Sequence, residues 1–206
     1  MAQTKRIVVF DLGGVLIDWN PRYLYRKLFG GNDEAMEEFL REIRFSEWNA
    51  ELDRGISFPN AIAGLCAQFP GHAPLIHAYR QRWEETLGEP IQSVVDLLPR
   101  LKRSGCILYA LTNFAAETFP IARKRFSFLN EFEAILVSGE VGIAKPDPRI
   151  YSMLLARIGR GAPECLFIDD RRENILVAES LGFPCIWMEK PDRLEKTLHQ
   201  RGYLDE

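Results

Sequence analysis

Two groups of acidic residues in this chain have the types and positions of catalytic carboxylates. Asp11 directly follows the apolar run RIVVF (6–10), and the adjacent Asp169 and Asp170 follow the run CLFI (165–168). A carboxylate at such a position can attack an electrophilic phosphorus and form a covalent aspartyl-phosphate. Two adjacent carboxylates repel each other unless a cation intervenes, and Mg²⁺ binds few carboxylates together with water and phosphate. The alternatives are a turn-forming Asp11 and a helix-capping pair at 169–170.

A second set of polar residues could bind the phosphate itself. Thr112 and Asn113 follow the run CILYAL (106–111), and Lys145 lies in the loop GIAKPDP. The Thr112 hydroxyl and the backbone N–H of Asn113, which points toward a helix predicted at 115–127, are donors that attract phosphate. The alternatives are a Thr-stabilised turn at the strand end and a solvated surface lysine.

These residues need a fold that brings distant parts of the chain together. Nearly continuous apolar runs that are rich in β-branched or aromatic residues are typical of strands buried on both faces of a parallel sheet. The runs are RIVVF (6–10), CILYAL (106–111), AILVS (134–138), CLFI (165–168) and PCIWM (184–188). Helices are predicted at 115–127, 148–158 and 171–181. This order predicts a doubly wound, Rossmann-like α/β fold, whose ligands bind at the carboxyl ends of the strands.

The spacing of the runs predicts an inserted domain. Asp11 and Thr112 are 101 residues apart, about 70 more than one strand–helix–strand crossover needs. The intervening sequence has four amphipathic stretches and no convincing strand between 18 and 90. Those stretches are 21–29, 34–45, 57–69 and 73–87. We therefore expect a helical cap over 18–88 and an α/β core over 1–17 and 89–206.

Composition excludes several other classes of protein. The 206 residues are 47% hydrophobic and 27% charged, with a net charge of −3, which argues against disorder and against a nucleic-acid binder. No apolar stretch is long enough for a membrane span, and the start of the chain does not resemble a signal peptide. The cysteines are widely spaced and predict buried free thiols in a reducing, cytoplasmic compartment. They are Cys66, Cys106, Cys165 and Cys185.

Four segments, in order along the chain, resemble the motifs of the haloacid dehalogenase-like hydrolases with a class-I cap. The segments are FDLGGV (10–15), LTNF (111–114), Lys145 within AKPDP, and FIDDRRENI (167–175). The DLGxV form of the first motif is similar to a sugar-phosphate phosphatase branch closest to α-D-glucose-1-phosphate phosphatase. The resemblance implies a Mg²⁺-dependent phosphatase that acts on a small phosphorylated metabolite, as a monomer or weak homodimer without nucleic-acid or membrane partners.

The resemblance also implies a role for each motif residue. Asp11 is the expected nucleophile, and Lys145 the cation that neutralises Asp11 and the phosphoryl oxygens. Thr112 is expected to assist catalysis and, with Asn113 and Lys145, to bind the phosphate. The expected metal ligands are Asp170 directly, Asp169 through water or by orienting its neighbour, Asp11, and the carbonyl oxygen of Gly13. Asn174 would help to hold the last loop.

One position departs from the family pattern. Most phosphatases of this superfamily have, two residues after the nucleophile, a second Asp that moves protons, and this chain has Gly13. Loss of such a group typically costs about 10²–10⁴-fold in rate. A non-catalytic phospho-ligand binder is therefore the alternative, and a haloacid dehalogenase is a more distant one. Several residues could line the entrance and choose the substrate: Trp19, Asn20, Arg22, Trp48 and Arg54.

Overall fold

All five apolar runs form strands in the computed structural model, which describes residues 6–205. In chain order the strands are β1 (Ile7–Phe10), β2 (Ile17–Trp19), β3 (Leu87–Pro90), β4 (Ile107–Thr112), β5 (Ala134–Val137), β6 (Cys165–Asp169) and β7 (Cys185–Trp187). Five of them form a parallel sheet in the order β5-β4-β1-β6-β7. β1 lies at the centre, where Ile7 pairs with Ile107 on one side and with Cys165 on the other.

Helices cover both faces of this sheet, so the expected doubly wound α/β fold is confirmed. They are α1 (Arg22–Leu28), α2 (Asp33–Glu42), α3 (Phe45–Asp53), α4 (Phe58–Gln68), α5 (Ala73–Gln81), α6 (Gln92–Val95), α7 (Leu97–Arg103), α8 (Phe119–Arg125), α9 (Ser138–Val141), α10 (Pro148–Ile158), α11 (Arg172–Ser180) and α12 (Leu194–Gln200). Alternate residues of β1 enter two separate cores: Val8 and Phe10 join one, and Ile7 and Val9 join the other. Each side chain so buried contributes about 1.5–3 kcal/mol.

The predicted core helices agree with the structure except at one start. The helix expected at 148–158 is α10, and the one expected at 171–181 is α11. The helix expected from 115 begins only at Phe119. Pro120 explains this difference, because a proline suits the first turn of a helix but removes a hydrogen bond and clashes in its interior.

The segment between the first two motifs differs from expectation in two respects. The prediction of no strand between 18 and 90 is wrong, because β2 and β3 pair antiparallel through Ile17 with Pro90 and Trp19 with Leu87. Strands this short have no detectable period-two pattern. The amphipathic stretch predicted at 34–45 corresponds to α2, which ends earlier, at Glu42. A separate helix, α3, begins after Arg44, whose backbone is left-handed with a φ of 52°. The domain boundaries at 18 and 88 stay a prediction.

Two further sequence expectations concern the cysteines and the membrane. Cys106 and Cys165 are buried, whereas Cys66 and Cys185 are half-buried, so the expected burial holds for two of the four. Across residues 6–205, none of the helices combines the length and the apolar character that crossing a bilayer would require.

Candidate active site

Three carboxylates meet at the carboxyl end of the sheet. Asp11 follows β1 and Asp169 ends β6, and these strands are neighbours in which Phe10 pairs with Ile168. Asp170 is the next residue, and one carboxylate oxygen from each of the three lies within 4.8 Å of the others. The expectation that distant chain segments bring these acids together agrees with this geometry. Such a cluster of anionic oxygens is stable when a cation lies among them.

Lys145 lies on one side of this cluster and is itself buried. Its Nζ is 3.0 Å from Asp11 Oδ1 and 2.7 Å from Asp169 Oδ2. Burial by itself would lower the pKa of the Lys145 ammonium, but Asp11 and Asp169 hold it above its usual value. Burial raises the pKa of Asp11 to about 7, against the opposing charge of Lys145. A cation near Asp11 favours its ionised form, which is the form that a nucleophile needs.

Asp169 and Asp170 have different hydrogen-bonding environments. Asp169 accepts hydrogen bonds from Asn174 Nδ2 at 3.0 Å to both of its oxygens and from the Arg171 N–H at 2.8 Å, in addition to the Lys145 ammonium. In the described part of the chain, Asp170 Oδ1 and Thr112 Oγ1 are the buried side-chain polar atoms without a hydrogen-bond partner. Buried polar atoms rarely lack a partner. Asp170 Oδ1 therefore fits a directly bound cation, while Asp169 is held in an orienting position.

Gly13 and Gly14 follow Asp11 and differ in the space around them. Gly14 has a φ of +73°, and a Cβ there would lie 2.3 Å from Asp170 Oδ2. This residue must therefore lack a side chain for the Asp170 carboxylate to approach. Gly13 is different, because a Cβ there would meet no heavy atom within 4 Å. The space that the first atom of a side chain would occupy at Gly13 is therefore open.

Asn113 and Thr112, at the end of β4, have different environments. The Asn113 side chain donates to the Lys145 carbonyl and accepts from the Lys145 N–H, both at 2.8 Å, so it holds the backbone of that residue. The helix expected to begin at 115 does not start beside it, because α8 begins only at Phe119. Thr112 is buried at the end of β4 with its unpartnered Oγ1, an atom that suits an additional acceptor such as a phosphate oxygen.

Two adjoining cavities open beside the cluster. The larger, of about 670 Å³, is lined by Asp11, Gly13, Lys145 and Asp170 and by charged residues of the segment 22–54. The smaller, of about 70 Å³, is mostly apolar, with walls from Ile17, Trp19, Phe58, Tyr79, Trp83 and Phe114. The residues common to both cavities are Gly13, Trp19, Asn49, Asp53 and Asn113. A phosphoryl group at the cluster would therefore have its organic part near this junction.

The entrance residues expected from the sequence divide into two groups. Trp19, Arg22 and Arg54 line the larger cavity. Trp48 instead packs in the interior of the helical segment, where its Nε1 donates to the Ala61 carbonyl at 3.0 Å. Asn20 accepts from the Arg22 N–H at 3.0 Å and so stabilises the start of α1.

Sequence reasoning missed the polar face of α3. Tyr79 donates its phenolic O–H to Asn49 Oδ1 at 2.7 Å, and Asn49 Nδ2 donates to Asp53 Oδ2 at 3.2 Å. Burial raises the pKa of Asp53 to about 7. A helix over 45–53 would have placed Asn49 and Asp53 on one face, four residues apart, and this spacing was the available signal.

Residues 5–182 of the chain match the model of a protein family described as haloacid dehalogenase-like hydrolase. A sesquiterpene phosphatase of Aspergillus oryzae is 30% identical, and the match covers 88% of this chain and 89% of that protein. A phosphoglycolate phosphatase of Xanthomonas campestris is 26% identical, with 88% and 81% covered.

Solved structures give a similar result. A haloacid dehalogenase-family enzyme of Bacteroides thetaiotaomicron, crystallised with magnesium and inorganic phosphate, is 27% identical with a TM-score of 0.65. The match covers 88% of this chain and 93% of that one.

Proposed function

The chain belongs to the haloacid dehalogenase-like hydrolase family, and on that premise we propose that it is a Mg²⁺-dependent phosphatase of small phosphorylated metabolites. One observation carries the proposal. Asp11, Asp169 and Asp170 converge within 4.8 Å, with the Lys145 ammonium against two of them and Asp170 Oδ1 unpartnered. A dianionic phosphate and an anionic nucleophile repel each other. The Lys145 ammonium and a bound metal cation would together offset this repulsion.

In the proposed reaction, each site residue of this chain has a separate role. Asp11 attacks phosphorus, and the aspartyl-phosphate is then hydrolysed. Lys145 offsets negative charge on Asp11 and on the transferring oxygens, while Asn113 holds the Lys145 backbone. Thr112 offers its unpartnered hydroxyl to a phosphate oxygen. Asp170, Asp11 and the Gly13 carbonyl would hold Mg²⁺, which supplies charge neutralisation and orientation of the phosphate.

The finer substrate assignment rests on the cavities. The first motif favours a sugar phosphate, and the charged wall of the larger cavity suits its hydroxyl groups. The apolar smaller cavity and the similarity to a sesquiterpene phosphatase favour an ester with an apolar organic group as the second candidate. A cytoplasmic location, expected from the cysteine pattern, is part of the proposal.

Two other functions on the same fold are less well supported. A haloacid dehalogenase needs no metal, so the converging carboxylates and the unpartnered Asp170 oxygen would have no purpose. A non-catalytic phospho-ligand binder would not need both Asp11 as a nucleophile and the buried Lys145 beside it.

Phosphate release from a panel of esters, with Mg²⁺ and with EDTA, tests the proposal. The panel contains p-nitrophenyl phosphate, glucose 1-phosphate, phosphoglycolate and farnesyl phosphate. We expect Mg²⁺-dependent release that Asp11→Asn abolishes, while Asp192→Asn, an exposed residue outside both cavities, leaves it unchanged. Release that survives Asp11→Asn would overturn the mechanism. No release from any ester, together with calorimetric binding of inorganic phosphate, would favour the binder.

A further inference from the structure

Phosphate-ester hydrolysis through Asp11 needs a group that moves protons, and the position next to the nucleophile cannot supply one. The leaving oxygen must gain a proton in the first step, and the attacking water must lose one in the second. Gly13 has no side chain at the position where most phosphatases of the superfamily have an Asp. Whatever moves protons must therefore come from elsewhere in the walls of the two cavities.

We propose that Asp53, at the end of α3, is the proton carrier of this active site. The inference rests on the proposed phosphatase function. Asp53 and Gly13 line both cavities, so Asp53 faces the same open space as the position that lacks a side chain. In most phosphatases of the superfamily, the loop after the first strand supplies the proton-carrying carboxyl. In this chain, the helical segment supplies it.

Comparison of the cavity carboxylates singles out this residue. Asp11 and Asp170 belong to the metal cluster, Glu37 is ion-paired with Arg22, and Glu173 with Arg171. Among the cavity-lining carboxylates in residues 6–205, Asp53 is the one outside the metal cluster with no ion pair. An ion pair holds a carboxylate in its charged form, so Asp53 is the carboxyl that is left able to hold a proton.

Hydrogen bonds orient the Asp53 carboxyl group. Tyr79 O–H donates to Asn49 Oδ1 at 2.7 Å, and Asn49 Nδ2 donates to Asp53 Oδ2 at 3.2 Å. Tyr79 is fully buried, and burial raises the pKa of its phenol well above 10.0. The phenol therefore stays a neutral donor, and the Tyr79–Asn49–Asp53 chain keeps the carboxyl at the cavity junction in both protonation states.

The charges around Asp53 permit both proton transfers near neutral pH. Burial raises its pKa to about 7, and Arg54 directly after its helix, Arg171 after β6 and Lys145 after β5 oppose this rise. The phenol of Tyr79 faces it from α5. A carboxyl whose pKa lies near the working pH can donate a proton in one step and accept one in the next.

The two steps balance in atoms and charge. Asp11 Oδ attacks phosphorus, the bond from phosphorus to the ester oxygen breaks, and the Asp53 carboxyl protonates that oxygen to give the alcohol. Water then attacks the phosphorus of the aspartyl-phosphate and gives a proton to the Asp53 carboxylate. The bond from phosphorus to Asp11 breaks, which releases inorganic phosphate and restores both residues.

Leaving groups of different acidity separate proton donation from other effects of a substitution. We expect Asp53→Asn to slow hydrolysis of β-glycerol phosphate by about 10²–10⁴-fold, the range for loss of a general acid–base group. With p-nitrophenyl phosphate, whose leaving group needs no proton, the initial burst of nitrophenolate keeps its wild-type rate. Only the steady rate falls, and the aspartyl-phosphate accumulates in acid-quenched samples analysed by intact mass spectrometry.

A second substitution, at position 13, tests most directly whether Asp53 carries the proton. Because a Cβ at position 13 would meet no heavy atom within 4 Å, Gly13→Asp combined with Asp53→Asn introduces the proton carrier that most phosphatases of the superfamily have. We expect this double variant to recover β-glycerol phosphate hydrolysis and to clear the accumulated intermediate. Glu51→Gln, an exposed residue on the same helix, serves as the matched control, and thermal melts report whether each variant folds.

The outcomes distinguish this inference from the proposed function. Equal losses with both esters and at both stages of the reaction, or a failure of Gly13→Asp to rescue a folded Asp53→Asn protein, would overturn the role of Asp53 and leave the phosphatase intact. Absence of phosphate release from every ester by the wild-type protein would overturn both.

Discussion

Gly13 and Gly14 are adjacent residues that differ in whether the structure can accommodate a Cβ. Gly14 adopts a φ of +73°, which costs other residues about 1–2 kcal/mol, and a Cβ there would overlap Asp170 Oδ2 at 2.3 Å. At Gly13 a Cβ would meet no heavy atom within 4 Å. We expect Gly14→Ala to lower the free energy of unfolding by more than about 1 kcal/mol and to weaken Mg²⁺ binding. Gly13→Ala should change stability little. Urea denaturation and calorimetry with Mg²⁺ alone check both, and equal effects would contradict the geometry.

Lys145 is a second residue whose removal has a predictable cost. Its Nζ pairs with Asp11 and Asp169 while buried, and breaking a buried ion pair from one side typically costs about 3–5 kcal/mol. We expect Lys145→Met to destabilise the protein by that order at pH 7 and to abolish phosphate release. The free energy of unfolding from urea titrations measures the first effect. Lys124→Met, on the exposed side of α8, is the control, and equal stabilities of the two variants would refute a buried pair.

At the scale of elements, the sequence predicted the five strands of the parallel sheet better than it predicted the segment that faces them. The five runs buried on both faces have few alternatives to a parallel sheet, so β1 and β6 and the convergence of Asp11 with Asp169 and Asp170 were foreseeable. α3 was not, because the break between α2 and α3 depends on the left-handed backbone of Arg44. That conformation is rare in residues other than glycine, and no local pattern signals it.

The helical segment that contains Asp53 is connected to the core by a contact that can be tested. At the start of α4, the Phe58 N–H donates to Glu117 Oε1 at 2.8 Å, across a separation of 59 residues in sequence. We expect Glu117→Ala to cost about 1 kcal/mol and to raise hydrogen exchange selectively in the first turn of α4. Exchange followed by mass spectrometry detects this, with Glu179→Ala on the exposed face of α11 as the control. Unchanged exchange at α4 would show that the contact does not hold the segment.

At the scale of the whole molecule, the site exists only where two chain regions meet. The 22–54 segment supplies the charged wall and Asp53, and the strand ends supply the carboxylates and Lys145. The residue spacing predicted the strand-end half. The opposing half depends on how α3 and α5 pack, with Tyr79 among the aromatic rings of Tyr25, Phe45 and Trp48. Packing of this kind is set by tertiary contacts rather than by local sequence pattern.

The pH dependence of stability tests the burial of Asp53 in this assembly. Its pKa is about 7 in the folded protein against the ordinary 3.8, so the folded state holds the proton more tightly than the unfolded chain. The contribution is complete below about pH 4 and is lost as pH rises through about 7. We therefore expect the free energy of unfolding of the wild type, relative to Asp53→Asn, to fall by at most about 1.4 kcal/mol per pH unit. Urea titrations with EDTA from pH 5 to 8 measure it. Asp11 titrates in both proteins and largely cancels in the difference, so a flat difference would mean that Asp53 stays ionised in the folded protein and could not donate a proton.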